Sequence, residues 1–242
     1  MQLLISVTNL LEARLALQGG ADIIDIKNPA ESALGAAPVA ALYDICATLP
    51  ADCPISAALG EFTASPGALA LAAQGAAALG ARYVKVGLRT ADPDQAVILL
   101  RTIQDGLSLT HPACTLIAVG YADAARIEAL PWTLLPEIAR AARIGGCMLD
   151  TALKDGRGLF DYCAMPALER WLAAGRRTGL LCALAGSLRL ADLPALGQLR
   201  PDVVGFRGAA CRGDRAAGRI AGDLVAGLRA GLVKQPALME LA

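Results

Sequence analysis

The sequence predicts a single-domain (β/α)8 TIM barrel, a fold indicated by three observations. Eight short apolar runs recur along the 242 residues, and a longer helical stretch follows each of them. The length is close to the roughly 250 residues typical of this barrel. No linker or shift in composition divides the chain, so we assign the barrel to 1–232 and a C-terminal tail to 233–242. The predicted strands span 3–7, 22–27, 54–59, 82–87, 115–119, 146–150, 180–184 and 202–206.

A doubly wound parallel sheet is the structural alternative. Helices cover both faces of such a sheet, so its strands are usually apolar throughout. Several of the runs here contain charged residues, such as Asp25 and Lys85. Charges within the strands favour a barrel, because its mouth can be polar.

Start and stop signals place the helices between the strands. Asn9 is a candidate N-cap with Glu12 three residues later, and Gly19 ends this first helix. Asp92 followed by proline opens another helix in the same way. The segment 123–143 contains two prolines and is expected to break in two. The helix that Asp92 opens spans 93–107, and the other predicted helices span 67–79, 161–178 and about 215–232.

The charge pattern argues against nucleic-acid and membrane partners. Acidic and basic residues balance at 22 each, and no basic block occurs. The first apolar run, 3–7, is too short for a signal peptide. The apolar stretch 64–81 consists mostly of alanine and glycine and is typical of a tightly packed helix rather than a membrane span. We therefore expect a cytoplasmic protein.

Cysteine and histidine usage predicts neither a metal nor a redox cofactor. The seven cysteines form no C-x-x-C motif, which favours free thiols in a reducing compartment. A single histidine, His111, argues against a zinc site and against a histidine-dependent triad. Gly156 and Gly158 lack the third glycine of a dinucleotide fingerprint.

Lysine is rare in this chain and is concentrated at the predicted strand ends. Only four of the 22 basic residues are lysines, and Lys27, Lys85 and Lys154 close or follow apolar runs. Arginine stays charged and is not a nucleophile, whereas a desolvated lysine amine can attack a carbonyl carbon. This placement suggests that the three lysines carry chemistry.

Strand periodicity brings these lysines together with two carboxylates. Side chains alternate between faces, so Asp25 shares a face with Lys27, and Lys85 can point toward the barrel axis. Asp150 ends strand 6, and Lys154 lies four residues further on. Because active sites form where the carboxyl ends of barrel strands converge, strands 2, 4 and 6 should build one cluster.

Such a cluster suits Schiff-base chemistry. Burial and neighbouring positive charges both lower the pKa of a lysine amine, which favours a neutral nucleophile near pH 7. The carboxylates can hold a second amine and transfer protons. The alternative is a buried ion-pair network that only fixes the barrel, although burying five charges is a poor route to stability.

The loops after strands 7 and 8 are candidates for phosphate binding. Gly186 and Ser187 follow strand 7, and Arg207 and Gly208 follow strand 8. Small residues let backbone N–H groups approach a phosphate, which this fold usually binds at these loops, and Arg207 could add a charged contact. Glycines are also ordinary turn residues. Asp123, after strand 5, is either a helix cap or a site residue.

Six segments, taken together, resemble the (5-formylfuran-3-yl)methyl phosphate synthase family. The resemblance is ordered along the chain from residue 3 to about 230. It departs mildly in the eighth loop, where Arg212 replaces an expected lysine and a glycine beside Gly213 is missing. The segments are 20–29, 83–88, 120–123, 148–156, 183–187 and 207–211.

The resemblance implies a specific reaction and specific roles. Members of this family condense two glyceraldehyde 3-phosphates into 4-(hydroxymethyl)-2-furancarboxaldehyde phosphate, with loss of phosphate and water, early in the synthesis of methanofuran-type C1 carriers. It implies that Lys27 forms the Schiff base, that Lys85 accepts a proton, and that Asp25, Asp150 and Lys154 belong to the site. No cofactor is implied, and we also expect a homo-oligomer.

Two other classes stay open. One is a different phosphate-binding barrel enzyme, either a class I aldolase or a sugar-phosphate isomerase. The other is a barrel that binds a phosphorylated metabolite without catalysis. Trapping of an imine with borohydride would separate the non-catalytic barrel from the lysine enzymes.

Overall fold

The computed structural model describes residues 1–61, 65–213 and 218–234, and its centre is a closed barrel of eight parallel strands. Consecutive strands pair, and β8 closes the barrel by pairing with β1. The predicted fold is confirmed, and each predicted strand is present with ends within two residues. The strands are β1 Gln2–Val7, β2 Ile23–Ile26, β3 Ile55–Glu61, β4 Tyr83–Gly87, β5 Thr115–Tyr121, β6 Gly146–Asp150, β7 Leu181–Leu184 and β8 Val203–Phe206.

The helices surround the barrel, and several begin at the predicted caps. The Asn9 side chain accepts a hydrogen bond from the Glu12 backbone, and Asp92 caps a helix that runs three residues longer than predicted. The helices are α1 Leu10–Gln18, α2 Val39–Thr48, α3 Pro66–Ala78, α4 Pro93–Thr110, α5 Leu135–Ala141, α6 Leu159–Tyr162, α7 Met165–Arg177, α8 Leu193–Leu199 and α9 Gly222–Val233.

The segment between β5 and β6 is interrupted, as predicted. Two short 3-10 turns, Ala124–Arg126 and Trp132–Leu134, precede α5. Both prolines of this segment stand at the start of an element, where a missing N–H costs nothing.

Two helix predictions were wrong. The predicted helix 161–178 is broken between α6 and α7, because Pro166 lies in the first turn of α7 and cannot continue a helix from before it. The last helix was predicted from about 215, but α9 begins at Gly222. Before it, β10 (Arg219–Ile220) pairs antiparallel with β9 (Cys211–Arg212), and 214–217 lie outside the described residues.

The last described helix extends one residue into the predicted C-terminal tail, 233–242. Val233 belongs to α9, and Lys234 follows it. The rest of the predicted tail, 235–242, lies outside the described residues.

Period-two alternation creates two separate apolar regions. Ile24 and Leu149 face the helices and join a large outer core, whereas Ile23 and Met148 fill the barrel interior. All seven cysteines are free thiols, as expected. Within the described residues, no helix is both long enough and apolar enough to cross a membrane.

Candidate active site

A cavity of about 490 Å³ opens at the carboxyl end of the barrel. The predicted site residues converge there, because eight of the ten line this cavity. Asp25 and Asp123 are the two that do not. The eight are Lys27, Lys85, Asp150, Lys154, Gly186, Ser187, Arg207 and Gly208.

Lys27 follows β2 directly and reaches the cavity from the barrel wall. Its side chain is buried, and Nζ donates a hydrogen bond to the Ala33 carbonyl at 3.1 Å. Ala33 lies in the loop between β2 and α2, which folds over the barrel mouth and buries Leu34 in the interior. A neutral amine can keep this hydrogen bond, so the loop orients Lys27 without requiring it to be charged.

Lys85 and Asp25 form a buried ion pair below the cavity. The Lys85 Nζ lies 2.7 Å from the Asp25 Oδ1, in a contact without the alignment of a hydrogen bond. The Ser6 hydroxyl donates to the other carboxylate oxygen of Asp25 at 2.8 Å. Asp25 does not line the cavity itself but contacts two residues that do, Lys85 and Ser6.

Asp150 and Lys154 form a second pair at the end of β6. The Lys154 ammonium donates to Asp150 Oδ1 and to the Thr151 hydroxyl, both at 2.9 Å. Burial alone would raise the pKa of Asp150. The positive charges of Lys154 and Lys27, with hydrogen bonds from Lys154 and the Thr151 backbone, outweigh burial and hold this pKa well below its ordinary value. Asp150 is therefore a carboxylate at neutral pH.

The loop after β7 presents backbone donors to the cavity. Gly186 and Ser187 have φ values of +99° and +49°, a left-handed conformation that is uncommon for serine. Within the described part of the chain, neither backbone N–H donates a hydrogen bond. A Cβ at Gly186 would lie 3.1 Å from the Thr151 backbone nitrogen, so this close approach requires glycine.

Arg207 lines the cavity, and its guanidinium forms hydrogen bonds with groups in the barrel wall and α1. Its Nη1 donates to Glu12 Oε2 at 2.9 Å and to the Ser6 carbonyl at 3.0 Å. Burial would raise the pKa of Glu12, but the hydrogen bond and charge of Arg207 lower it further than burial raises it. This ion pair joins β8 to α1, and a direct contact of Arg207 with a phosphate stays a prediction.

Asp123 was interpreted as a cap or a site residue, and the structure gives it a third position. Its buried carboxylate accepts hydrogen bonds from the backbone N–H groups of Ala152 and Leu153, each at 2.8 Å. It makes no side-chain cap to the turn that follows it and does not line the cavity. Asp123 instead fixes the loop that carries Lys154.

Sequence reasoning missed Glu12 as a partner of the site and Arg189 as a lining residue. Glu12 was interpreted only as a capping residue, and its burial inside α1 was the missing information. Arg189 lies two residues after the Gly186–Ser187 pair, and its Nη2 donates to the Gly156 carbonyl. A basic residue this close to a candidate phosphate loop was a usable signal.

A polar cluster beside the site was also missed. The Tyr121 hydroxyl donates to Glu61 at 3.1 Å, and Arg89 binds the same carboxylate at 3.1 Å. Burial raises the pKa of Tyr121 well above its ordinary value, and the negative charges of Glu61 and Asp150 raise it further. Tyr121 is therefore a neutral phenol that helps fix the ends of β3 and β5.

The fold and this cavity define the chain as a (β/α)8-barrel protein with a lysine–carboxylate centre. Solved barrels of similar shape include 3-hexulose-6-phosphate synthase from Salmonella typhimurium, with a TM-score of 0.68 and 17% identity over 98% of this chain and 100% of that one. Phosphoribosyl anthranilate isomerase from Thermus thermophilus gives a TM-score of 0.66, also at 17% identity, with 98% and 100% covered. These similarities show the fold alone.

Sequence comparison identifies the family. A family model described as 4-HFC-P synthase matches residues 3–229. The (5-formylfuran-3-yl)methyl phosphate synthase of Methanococcus maripaludis is 41% identical over 227 residues, which are 93% of this chain and 96% of that one. The synthase of the same name from Methanothermobacter thermautotrophicus is 44% identical over 231 residues, with 95% and 98% covered. The chain belongs to this family of enzymes.

Proposed function

We propose that this enzyme condenses two molecules of glyceraldehyde 3-phosphate into 4-(hydroxymethyl)-2-furancarboxaldehyde phosphate through a Schiff base on Lys27. Family membership supports the furan phosphate as the product. The observation that carries the lysine chemistry is the convergence of Lys27, Lys85 and Lys154 on one cavity. Lys85 and Lys154 each form an ion pair with a carboxylate, and the Lys27 amine donates a hydrogen bond to the Ala33 carbonyl.

The first step is attack by the Lys27 amine on the aldehyde carbon of one substrate. Loss of water gives an iminium ion, which draws electrons from the adjacent carbon and acidifies its proton. Lys85 rests as the ammonium of a buried ion pair, so it first passes one proton to Asp25, 2.7 Å away. The neutral Lys85 amine then accepts the substrate proton.

The second stage joins the two substrates and forms the ring. Loss of phosphate from the Lys27-bound triose leaves an enol whose terminal CH2 carbon is the nucleophile. This carbon attacks the central carbonyl carbon of the second triose phosphate, which has isomerised from glyceraldehyde 3-phosphate to its keto form. The Lys154 ammonium can protonate a departing oxygen, while the Asp150 carboxylate holds it in place at 2.9 Å. Atom balance between two triose phosphates and the furan product then requires release of one phosphate and two waters.

Phosphate binding in this scheme belongs to the loops after β7 and β8. The backbone N–H groups of Gly186 and Ser187 are directed donors for one phosphate group, and Gly208 adds a small residue across the cavity. The buried Arg207–Glu12 pair holds the second loop in place. The product would serve as an early furan building block of methanofuran-type C1 carriers.

The test is incubation of the purified enzyme with glyceraldehyde 3-phosphate alone. The expected result is a new ultraviolet absorbance from a conjugated furan aldehyde, the matching product mass, and one phosphate released per furan formed. An acyclic six-carbon product without phosphate release would indicate a class I aldolase instead. Absence of both a product and a borohydride-trapped imine would indicate a barrel that only binds its ligand.

A further inference from the structure

The cavity is lined by more cations than are paired with the carboxylates in or beside its wall. Three carboxylates each form an ion pair with a different lining cation: Asp25 with Lys85, Asp150 with Lys154, and Glu12 with Arg207. Arg189 is a further lining cation, and within the described parts of the chain it forms no ion pair with a carboxylate.

We propose that Arg189, together with Lys154, forms a second phosphate subsite at the cavity mouth, which binds the phosphate group that leaves. This inference rests on the proposed function, in which two substrates bring two phosphates and only one is retained. The Gly186–Ser187 backbone provides a site for one of them. The second dianion needs separate donors, and Arg189 supplies them.

The position of Arg189 fits this role. It is exposed, and its Nη2 donates to the Gly156 carbonyl, which links the loop after β7 to the loop after β6. The backbone of Leu159 also donates to the Gly186 carbonyl at 2.8 Å, so the two loops are held together. A guanidinium carries five N–H donors in a fixed fork, so one bond to Gly156 leaves others that can bind phosphate oxygens.

Lys154 lines the same cavity as Arg189. It lies two residues before Gly156 on the loop after β6, and its side chain is 19% exposed while its ammonium contacts Asp150. Gly156 itself has open space around its Cβ position. A phosphate between Arg189 and Lys154 would therefore contact two cations at the solvent side of the cavity, outside the buried Gly186 loop.

The chemical step that this subsite assists is a β-elimination. The carbon next to the Lys27 iminium carbon carries the proton, and the following carbon carries the phosphate ester. Lys85 takes the proton from this substrate carbon, and the electron pair of the broken C–H bond forms a C=C bond to the following carbon. The C–O bond of the phosphate ester breaks, and its electron pair leaves with the phosphate. No oxidant or reductant is required. Arg189 acts by stabilising the negative charge that develops on the departing phosphate.

The first test counts phosphate sites directly. Calorimetric titration of inorganic phosphate into the purified enzyme should show two sites per chain in the wild type and one in Arg189→Met. Arg157→Met is the matched control, because Arg157 is an exposed arginine on the neighbouring loop that does not line the cavity. It should retain two sites. One site in the wild type, or two in Arg189→Met, would overturn the subsite.

The second test places the subsite in the reaction. Phosphate release from glyceraldehyde 3-phosphate should fall about tenfold or more in Arg189→Met, and by less in Arg189→Lys, because a charge-assisted pair is lost or weakened. Borohydride trapping of the first substrate on Lys27 should stay at the wild-type yield. Wild-type phosphate release by Arg189→Met would contradict the proposal. If the wild type itself makes no furan, the proposed function fails, while the phosphate titration still decides the subsite.

Discussion

The Lys85 ammonium and the Asp25 carboxylate lie 2.7 Å apart inside the barrel, and both side chains are almost completely buried. They come from β4 and β2, which do not pair with each other because β3 lies between them. The contact therefore crosses the barrel interior and fixes the distance between the proposed proton acceptor and the strand that leads to Lys27.

Removing the charge of Asp25 should damage both stability and activity. Asp25→Asn leaves a buried ammonium without its counter-ion, so we expect a loss of about 3 kcal/mol in the free energy of unfolding and a large fall in kcat. Asp223→Asn is the control, because the Asp223–Arg212 pair is exposed and should contribute less than about 1 kcal/mol. Denaturant unfolding and furan formation measure the two effects. Equal stability losses in both variants would contradict the importance of the buried pair.

Adding a methyl group at Gly186 should weaken substrate binding. The alanine Cβ would crowd the Thr151 backbone at 3.1 Å and disturb the donors beside it, so KM should rise about tenfold or more. Gly179→Ala is the matched control: Gly179 also has a positive φ, +72°, but nothing lies near its Cβ position. Both variants should lose about 1 kcal/mol of stability from backbone strain. A KM that rises equally in both would refute phosphate binding by the Gly186 loop.

Asp123 should act on turnover through the loop that it holds. Asn has one acceptor oxygen where Asp has two, so Asp123→Asn loses one of the bonds to Ala152 and Leu153 and loosens the attachment of Lys154. We expect kcat to fall about tenfold, with imine trapping on Lys27 unchanged. In Asp92→Asn, which alters another carboxylate that binds two backbone N–H groups, kcat should not change. Loss of trapping in Asp123→Asn would mean that the damage extends to Lys27.

Stability should fall on acidification because of Asp150. Its pKa in the folded state is held below the ordinary carboxyl value, so the unfolded chain binds more protons as the pH falls. The stabilisation is present above about pH 4 and is lost progressively below it. Urea unfolding between pH 3 and pH 7 should therefore show a shallower acid slope for Asp150→Asn than for the wild type. The exposed variant Asp52→Asn should keep the wild-type slope.

The positions of the candidate site residues in the barrel follow from strand periodicity and sheet topology. Alternation along each strand places Lys27 and Lys85 inside the barrel, and parallel closure brings the strand ends to one face. The contacts that the sequence did not predict depend on loop conformation. Glu12 and Arg207 are 195 residues apart in sequence, and no local pattern pairs them.

Loop geometry also explains why the role of Asp123 differs from the two that the sequence suggested. Whether its carboxylate caps the next turn or binds another loop depends on where residues 152 and 153 lie, and this position is set by tertiary packing. The hydrogen bond from Lys27 to the Ala33 carbonyl has the same origin. The alternation of side chains along the strands specifies which of them enter the cavity. The hydrogen-bond or ion-pair partner of each side chain depends on irregular loops, whose conformation the sequence pattern does not predict.

The central claim is that Lys27 forms the covalent bond with the substrate. The most direct measurement is intact-mass analysis after borohydride reduction of the enzyme with glyceraldehyde 3-phosphate, followed by peptide mapping. The wild type and the control Lys234→Arg, which alters an exposed lysine after α9, should both gain a substrate-derived mass on Lys27. Lys27→Arg should fold normally, gain no mass and make no furan, because arginine cannot form the imine. An adduct on another lysine, or furan formation by Lys27→Arg, would contradict the account.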